Sequence, residues 1–320
     1  MKMIKFILIF TIVILTISNL FGQQQSQYSQ YMLNYYLINP AVSGTEDYLD
    51  IKMAYRTQWI GIDNAPKNYY VTAHTPLGKL HGAHDSKRAN KKMLSHHSVG
   101  GMVNGQSAGP LRRLSGYASY AFHLPLDPKH YLSLGAQMGG IQYSLQPVIS
   151  AGQDPSDATI TNFSSFKPDG SVGLWFYSID YFMGLSVTQI FDNKLDPNFS
   201  DQYNSTLNRH YYFTGGYDIK VNKHTLLIPS TLLKFSNHAF QADINAKLKY
   251  NGNIWGGLSL RPQDALVVML GAVVARKIEV GVSYDFTFSG LRVASKGSCE
   301  LVLGYRFDQN ASIISPSDFW

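Results

Sequence analysis

The feature that most constrains this chain is a two-residue alternation of apolar and polar side chains, repeated in many segments from about residue 48 onward. In Phe240–Tyr250 every even position is apolar or aromatic, and every odd position is Gln, Asp, Asn or Lys. Because successive side chains of a strand point to opposite faces, this segment has one apolar and one polar face. Residues 279–288 and 300–307 repeat the pattern, with Val302 as an exception.

Soluble β-sandwiches also alternate, so three further features decide the fold class. The alternating segments are about ten residues long, whereas strands of soluble proteins average about five or six. Aromatic residues often stand near the segment ends, where membrane barrels carry aromatic girdles. The chain also carries an export signal, contains almost only strands and shows no helical period of useful length, and after residue 22 no apolar run long enough for a membrane-spanning helix occurs. The sequence therefore predicts an all-β transmembrane antiparallel barrel.

The alternation predicts about fourteen strands, an even number as in single-chain bacterial barrels. The segment 265–276 alternates least regularly. The predicted strands are 48–60, 68–77, 96–105, 112–125, 130–145, 169–178, 181–190, 209–221, 224–236, 240–251, 253–262, 265–276, 277–288 and 298–307.

The connections between these strands give an independent check on the barrel. Barrels of this kind have short periplasmic turns and longer outside loops. With the first strand starting in the periplasm, the longer connections 146–168, 191–208 and 289–297 fall outside. The connection 78–95 is an exception, because it falls on the periplasmic side yet is long and basic. The tight periplasmic turns are 178–180, 222–223, 251–252 and 276–277.

The N-terminus predicts export. Residues 1–22 carry two lysines and then an apolar run ending at the small residue Gly22, which is typical of a cleaved signal peptide. A retained anchor helix is the alternative, although the run is short for a full span. The predicted organisation is a signal peptide at 1–22, a periplasmic lead-in at 23–47, an outer-membrane barrel at 48–307 and a C-terminal tail at 308–320.

Composition narrows the function classes. The net charge is +6 and no dense basic stripe is present, so no nucleic-acid partner is predicted. Cys299 is the single cysteine, which excludes an intrachain disulfide and a cysteine-based metal site. No nucleophile elbow, phosphate-binding loop, dinucleotide fingerprint or HExxH motif is present. We therefore predict a non-enzymatic protein without a cofactor, while a barrel enzyme with scattered catalytic residues stays as an alternative.

Two groups of polar residues are candidates for sites. A metal could be held by histidines and an aspartate in and after the basic connection, although their loose spacing fits a polar loop equally well. The polar faces of the late strands line either a selective channel or a filled interior in which acids and bases pair. The metal candidates are His81, His84, Asp85, His96 and His97. The lumen candidates are Asp243, Asn245, Lys247, Lys249, Glu279, Asp285, Glu300 and Arg306.

The stretch 27–78 carries ordered motifs: SQYM, INPA, an Arg-x-Gln-Trp-x-Gly strand end, Ala-Pro and His-x-Pro-Leu. In these motifs and in later ones such as LLIPSTLLKF and the closing LGYRF, the chain resembles the PorP/SprF family of Bacteroidota outer-membrane proteins. It departs from the family in lacking a Gly before Ala65-Pro66 and in having Cys299 where His is expected. The residues carrying the motifs are Tyr31, Asn39, Pro40, Arg56, Trp59, Gly61 and Pro66.

The resemblance implies an outer-membrane component of the type IX secretion and gliding apparatus. It implies that this protein helps to secrete or surface-anchor partner proteins with C-terminal secretion domains, by binding and without catalysis. The partners implied are these secreted proteins, periplasmic secretion components and outer-membrane lipid. A solute channel or transporter is the alternative. Periplasmic partners are expected to bind Lys79, Lys87, Arg88, Lys91 and Lys92.

The lead-in itself is rich in tyrosine and carries Asn39-Pro40 and Gly44. Tyrosine buries a large ring and offers a hydroxyl to polar partners. We therefore expect this segment to tuck against or into the barrel. A disordered tail is the alternative, although disordered segments are poor in aromatic residues.

Overall fold

The computed structural model describes residues 26–77, 95–145, 163–191, 208–237, 239–262 and 264–307. These residues form one antiparallel sheet with fifteen strand segments. The segments are β1 (Leu49–Thr57), β2 (Lys67–Leu77), β3 (His96–Ala108), β4 (Leu111–Asp127), β5 (His130–Leu145), β6 (Phe163–Tyr177), β7 (Tyr181–Thr188), β8 (His210–Tyr217), β9 (Ile219–Lys220), β10 (Thr225–Ser236), β11 (Ala239–Tyr250), β12 (Ile254–Arg261), β13 (Ala265–Val274), β14 (Ile278–Thr287) and β15 (Ser298–Phe307).

The sheet closes on itself. β1 pairs with β2 on one side and with the last strand, β15, on the other, from Leu49 opposite Phe307 to Thr57 opposite Cys299. The segments β8 and β9 are separated only by Asp218 and both pair with β10, so they act as one strand. The described strands therefore form a closed barrel of fourteen, and the predicted fold class is confirmed.

The alternation places apolar side chains on the outer surface. In β11, Ile244 and Leu248 are exposed, whereas Asp243 and Lys247, each one position earlier, are buried. Closure leaves no sheet edge whose backbone groups lipid would fail to hydrogen-bond. The barrel thus has an outer surface suited to hydrocarbon and a polar inner wall. Among the described residues, no helix is long and apolar enough to cross a membrane.

The two ends of the barrel differ, and we name them by the first strand. The near end is where β1 begins, and the far end is where β1 ends. Tight turns join strands at the near end, as at Asn251-Gly252, where φ values of 50° and 69° suit a short hairpin. The far end carries the described connections 58–66 and 288–297, which hydrogen-bond to each other through Ile60 and Gly297 at 2.8 Å.

Two details of the strand prediction need correction or explanation. Residues 163–168, predicted as part of an outside loop, belong to β6, because β5 extends to Leu145 and requires a hydrogen-bonding partner along its whole length. The weak alternation of 265–276 has a cause in packing. The inward side chains of Val267 and Met269 in β13 are apolar because they join the hydrophobic core inside the barrel.

Candidate functional site

The interior of the barrel is occupied by the chain's own N-terminal part, residues 26–47, which we call the plug segment. It contains three short 3-10 helices, Tyr31–Leu33, Tyr35–Leu37 and Pro40–Val42. Nearly all of its side chains are buried. Its aromatic and aliphatic side chains form one hydrophobic cluster with inward residues of the wall.

The plug segment crosses the interior from the far end to the near end. At the far end, Gln27 contacts Gln58, which follows β1, and Asp264, which follows β12. At the near end, the carbonyl oxygens of Ser43 and Gly44 bond to histidines of β3 and β4. The chain then leaves the interior and begins β1. The segment therefore lies inside the barrel, with its first residues at the far end and its last residues at the near end.

Ser29 is the centre of a buried cluster of charges, which we call the far cluster: Arg56, Asp243, Arg261, Asp285 and Glu300. Its hydroxyl donates to Asp285 at 2.7 Å, and its backbone N–H donates to Glu300 at 2.7 Å.

Within the far cluster, the guanidinium groups of Arg56 and Arg261 donate to Ser29 Oγ at 2.6 Å and 2.9 Å. The same two arginines form ion pairs with Asp285 at 2.8 Å and 3.1 Å. Each buried charge is thereby compensated by an opposite charge and by hydrogen bonds, as buried ions require. The start of the plug segment is fastened to β1, β12, β14 and β15.

A second group of charges lies closer to the near end. Lys52 in β1 forms an ion pair with Asp50 at 2.9 Å, and Arg306 in β15 forms one with Glu279 in β14 at 3.2 Å. The ammonium group of Lys52 also donates to the carbonyl oxygen of Leu33 in the plug segment. The wall thus holds the plug backbone at mid-height through a charged hydrogen bond.

The Asn-Pro-Ala turn of the plug segment packs against two glycines of the wall, Gly135 and Gly173, which we call the glycine seat. Asn39 Nδ2 donates to the carbonyl oxygens of Leu174 in β6 and Leu185 in β7 at 3.0 Å and 3.1 Å. A Cβ atom on Gly173 would collide with Asn39 Oδ1, and one on Gly135 would collide with the backbone of Ala41. The wall lacks side chains there because the plug backbone approaches it closely.

Histidines hold the last part of the plug segment. The rings of His96 and His123 stack with centroids 4.2 Å apart. His96 Nε2 donates to the Gly44 carbonyl at 3.0 Å, and His123 Nε2 donates to the Ser43 carbonyl at 2.7 Å. The Ser-Gly turn before β1 is thus fixed to β3 and β4, two and three strands along the wall from β1.

A cavity remains between the plug segment and the wall formed by β3–β8 and β10. Its volume is about 50 Å³, and it lies in the far half of the interior. Arg113, Asp169 and Lys234 contribute charged groups, and Met102 and Leu232 contribute apolar surface. The far cluster borders this cavity, because Asp243 lies in β11, next to the lining residues Leu232 and Lys234 of β10.

The residues predicted to line the interior are all buried on the inner face. Asn245 donates to the Tyr31 hydroxyl at 2.6 Å. Asp243 pairs with Arg261 at 3.4 Å. The full set of buried predicted residues is Asp243, Asn245, Lys247, Lys249, Glu279, Asp285, Glu300 and Arg306.

The family-motif residues divide between two places. Tyr31, Asn39 and Pro40 belong to the buried plug segment, and Arg56 belongs to the far cluster. The remaining three, Trp59, Gly61 and Pro66, lie in the connection that follows β1 at the far end. There Trp59 has φ 47° and Gly61 has φ 103°, and the Pro66 carbonyl accepts from Gln58 N at 2.9 Å. A bulky residue such as Trp rarely adopts a positive φ.

Other predicted residues lie apart or cannot be placed. His96 is buried against the plug segment, whereas His97 is on the outer side and bonds to Tyr120 at 2.5 Å. These two histidines therefore do not share a site. The following predicted residues fall outside the described part of the chain: Lys79, His81, His84, Asp85, Lys87, Arg88, Lys91 and Lys92.

Sequence reasoning missed several inward residues. Arg261, Lys52 and His123 face the interior, and the two-residue period predicts this for each. Arg261 follows Trp255, Gly257 and Ser259 on the inner face of β12. What the period cannot reveal is that these side chains meet the plug segment.

A comparison with family models identifies the family to which this chain belongs. The model described as "Type IX secretion system membrane protein PorP/SprF" matches residues 20–305. The chain belongs to the PorP/SprF family. This PorP/SprF protein is a membrane component of the type IX secretion system, and its closed barrel with an apolar outer surface lies in the outer membrane.

Three solved structures with a related shape are distant in sequence from this PorP/SprF protein. A Pseudomonas aeruginosa FadL homologue is 10% identical with a TM-score of 0.47, covering 90% of this chain and 96% of that one. The P. putida toluene transporter TodX is 9% identical with a TM-score of 0.47, covering 86% and 94%. The KdgM porin is 8% identical with a TM-score of 0.37, covering 81% and 99%. No curated protein matches the sequence.

Proposed function

We propose that this protein helps to secrete partner proteins or to anchor them at the cell surface, by binding them and without catalysis. The observation that supports this best is the filled interior. The plug segment is fastened to the wall at the far cluster, at Lys52, at the glycine seat and at the histidines. A barrel closed in this way suits a binding platform better than an open conduit.

The partner-binding surfaces belong to the two ends of the barrel. We assign the exported partner to the far end, where the connections 146–162 and 192–207 leave β5 and β7. We assign periplasmic secretion components to the basic connection 79–92, which leaves β2 at the near end. Its five basic residues suit acidic partner surfaces.

Affinity purification from membranes tests this function. The wild-type protein is expected to retain an exported partner and periplasmic secretion components. Deleting 79–92 is expected to remove the periplasmic components while the barrel stays inserted and the exported partner is retained. A matched variant with the same loop length but with the five basic residues replaced by Gln separates charge from length. Unchanged recovery of periplasmic components in both variants contradicts the assignment of this loop.

The same purified protein addresses the solute-channel alternative. Planar-bilayer recordings are expected to show no steady current for the wild-type protein, because the plug segment fills the interior. Steady open-pore currents together with failure to recover any partner would favour a channel.

A further inference from the structure

The cavity beside the plug segment has an unusual charge balance. Among its described lining residues, the charged ones are Arg113 in β4, Lys234 in β10 and Asp169 in β6. Asp169 accepts a hydrogen bond from the Tyr117 hydroxyl at 2.7 Å. The lining therefore carries two positive charges and one negative charge.

Lys234 is the cation best placed to bind a ligand. Its ammonium group makes no ion pair or hydrogen bond with any residue that the structure describes. The nearby Asp243 is instead occupied by Arg261 and by Gln241. A charged group in a partly buried position is costly unless it is paired. This arrangement favours an anion that completes the site.

Gln137 adds a second polar group without a full set of partners. It is 6% exposed and lines the cavity, where its Oε1 has no hydrogen-bond partner among the described residues. Its Nε2 donates to Ser171 Oγ at 3.1 Å. Since a serine hydroxyl both donates and accepts, rotating the amide keeps the Ser171 bond and turns the NH₂ group toward a ligand oxygen.

The size and walls of the cavity restrict the ligand. A volume of about 50 Å³ holds roughly four water-sized groups. The apolar surface of Met102, Leu232 and Ile38 lies beside the charged groups. Cationic groups beside apolar surface suit a carboxylate with a short aliphatic stem.

We propose that this cavity is a binding site for a carboxylate on a short aliphatic stem, held by Lys234 with Arg113 and Gln137. Such a group is carried either by the exported partner polypeptide, as a side chain or chain end, or by a small free acid. The first source rests on the proposed function, whereas the site itself does not. Arg113 is oriented by Tyr143, whose ring centroid lies 5.8 Å from the guanidinium carbon.

Saturation-transfer NMR on the purified full-length protein in detergent tests the site. The probes are propionate and its neutral isostere propionamide at matched ionic strength. The wild type is expected to prefer propionate by about tenfold, the scale of a charge-assisted hydrogen bond. Lys234→Met is expected to abolish this preference, and Lys234→Arg to retain most of it. Lys220→Met, which removes an exposed lysine at the near end, serves as the matched control.

The outcomes separate the site from the function. Equal binding of propionate and propionamide by the wild type, or an equal loss in Lys220→Met, overturns the proposal. If the site is present, recovery of the exported partner identifies the source of the carboxylate. A lower recovery with Lys234→Met than with Lys220→Met assigns it to the partner, and equal recovery assigns it to a small acid. Failure of the wild type to recover any partner would instead count against the proposed function.

Discussion

Arg56 in β1 and Asp285 in β14 form an ion pair of 2.8 Å across the intervening strand β15. The hydroxyl of Ser29 bonds to both residues, so the pair also fixes the start of the plug segment. The wall and its contents are therefore held by the same charges. Changing one of them is expected to affect the plug segment more than the barrel.

Replacing Arg56 with Met leaves Asp285 and Glu300 buried with only part of their compensation. The cost of removing one partner of such a pair is about 3 kcal/mol. We expect the barrel to stay closed and the plug segment to be cut faster by chymotrypsin at its tyrosines. Lys67→Met removes an exposed cation at the far end of β2 and is the control. Equal cleavage rates in the two variants would contradict the fastening role of Arg56.

Gly173→Ala places a methyl group where Asn39 Oδ1 now lies. Overpacking of this kind typically costs about 1–3 kcal/mol. We expect the Asn-Pro-Ala turn to leave its seat and brief currents to appear in planar-bilayer recordings. Gly116→Ala is the matched control, because nothing lies within 4 Å of the added carbon. Currents that appear equally in both variants would mean that the seat does not keep the interior closed.

Asn39 has two separable roles, and Asn39→Asp distinguishes them. The carboxylate can still accept from Ala41 N, as Oδ1 does at 3.0 Å. It cannot donate to the carbonyl oxygens of Leu174 and Leu185, which then lose their partners at a cost of about 1–3 kcal/mol each. We expect faster chymotrypsin cleavage than in the wild type. Cleavage at the wild-type rate would show that capping of the turn, and not binding to the wall, is what matters.

The direction of the plug segment predicts which side of the membrane its first residues reach. Gln27→Cys in a Cys299→Ala background is expected to react with a membrane-impermeant maleimide on intact cells, because Gln27 lies at the far end. Lys223→Cys, in the near-end turn before β10, is the control and is expected to react only after the outer membrane is opened. The reverse pattern would invert the assigned orientation.

Much of the barrel could be predicted because the side chains of a strand point to opposite faces at alternate sequence positions. Ile244 and Asp243 reveal the two faces of β11 without any knowledge of neighbours. Val302 breaks the alternation in β15, and the reason lies outside its own strand: it is fully buried in the cluster with the plug segment.

The contents of the barrel could not be predicted in the same way. Ser29 and Glu300 are 271 positions apart, and no local pattern connects them. The 3-10 turns of the plug segment also lack a long period, so its path follows only from tertiary contacts. The cavity lies between the plug segment and the wall, and its position depends on how these elements pack, which no local sequence pattern reveals.

The first strand hydrogen-bonds to the last, so the cylinder stays open until β15 has been made and has taken its position. The plug segment precedes all the strands in the chain and is consequently enclosed only when the last strand is in place. Until β15 pairs with β1, the tyrosine-rich plug segment lacks the closed wall that buries its side chains in the finished protein.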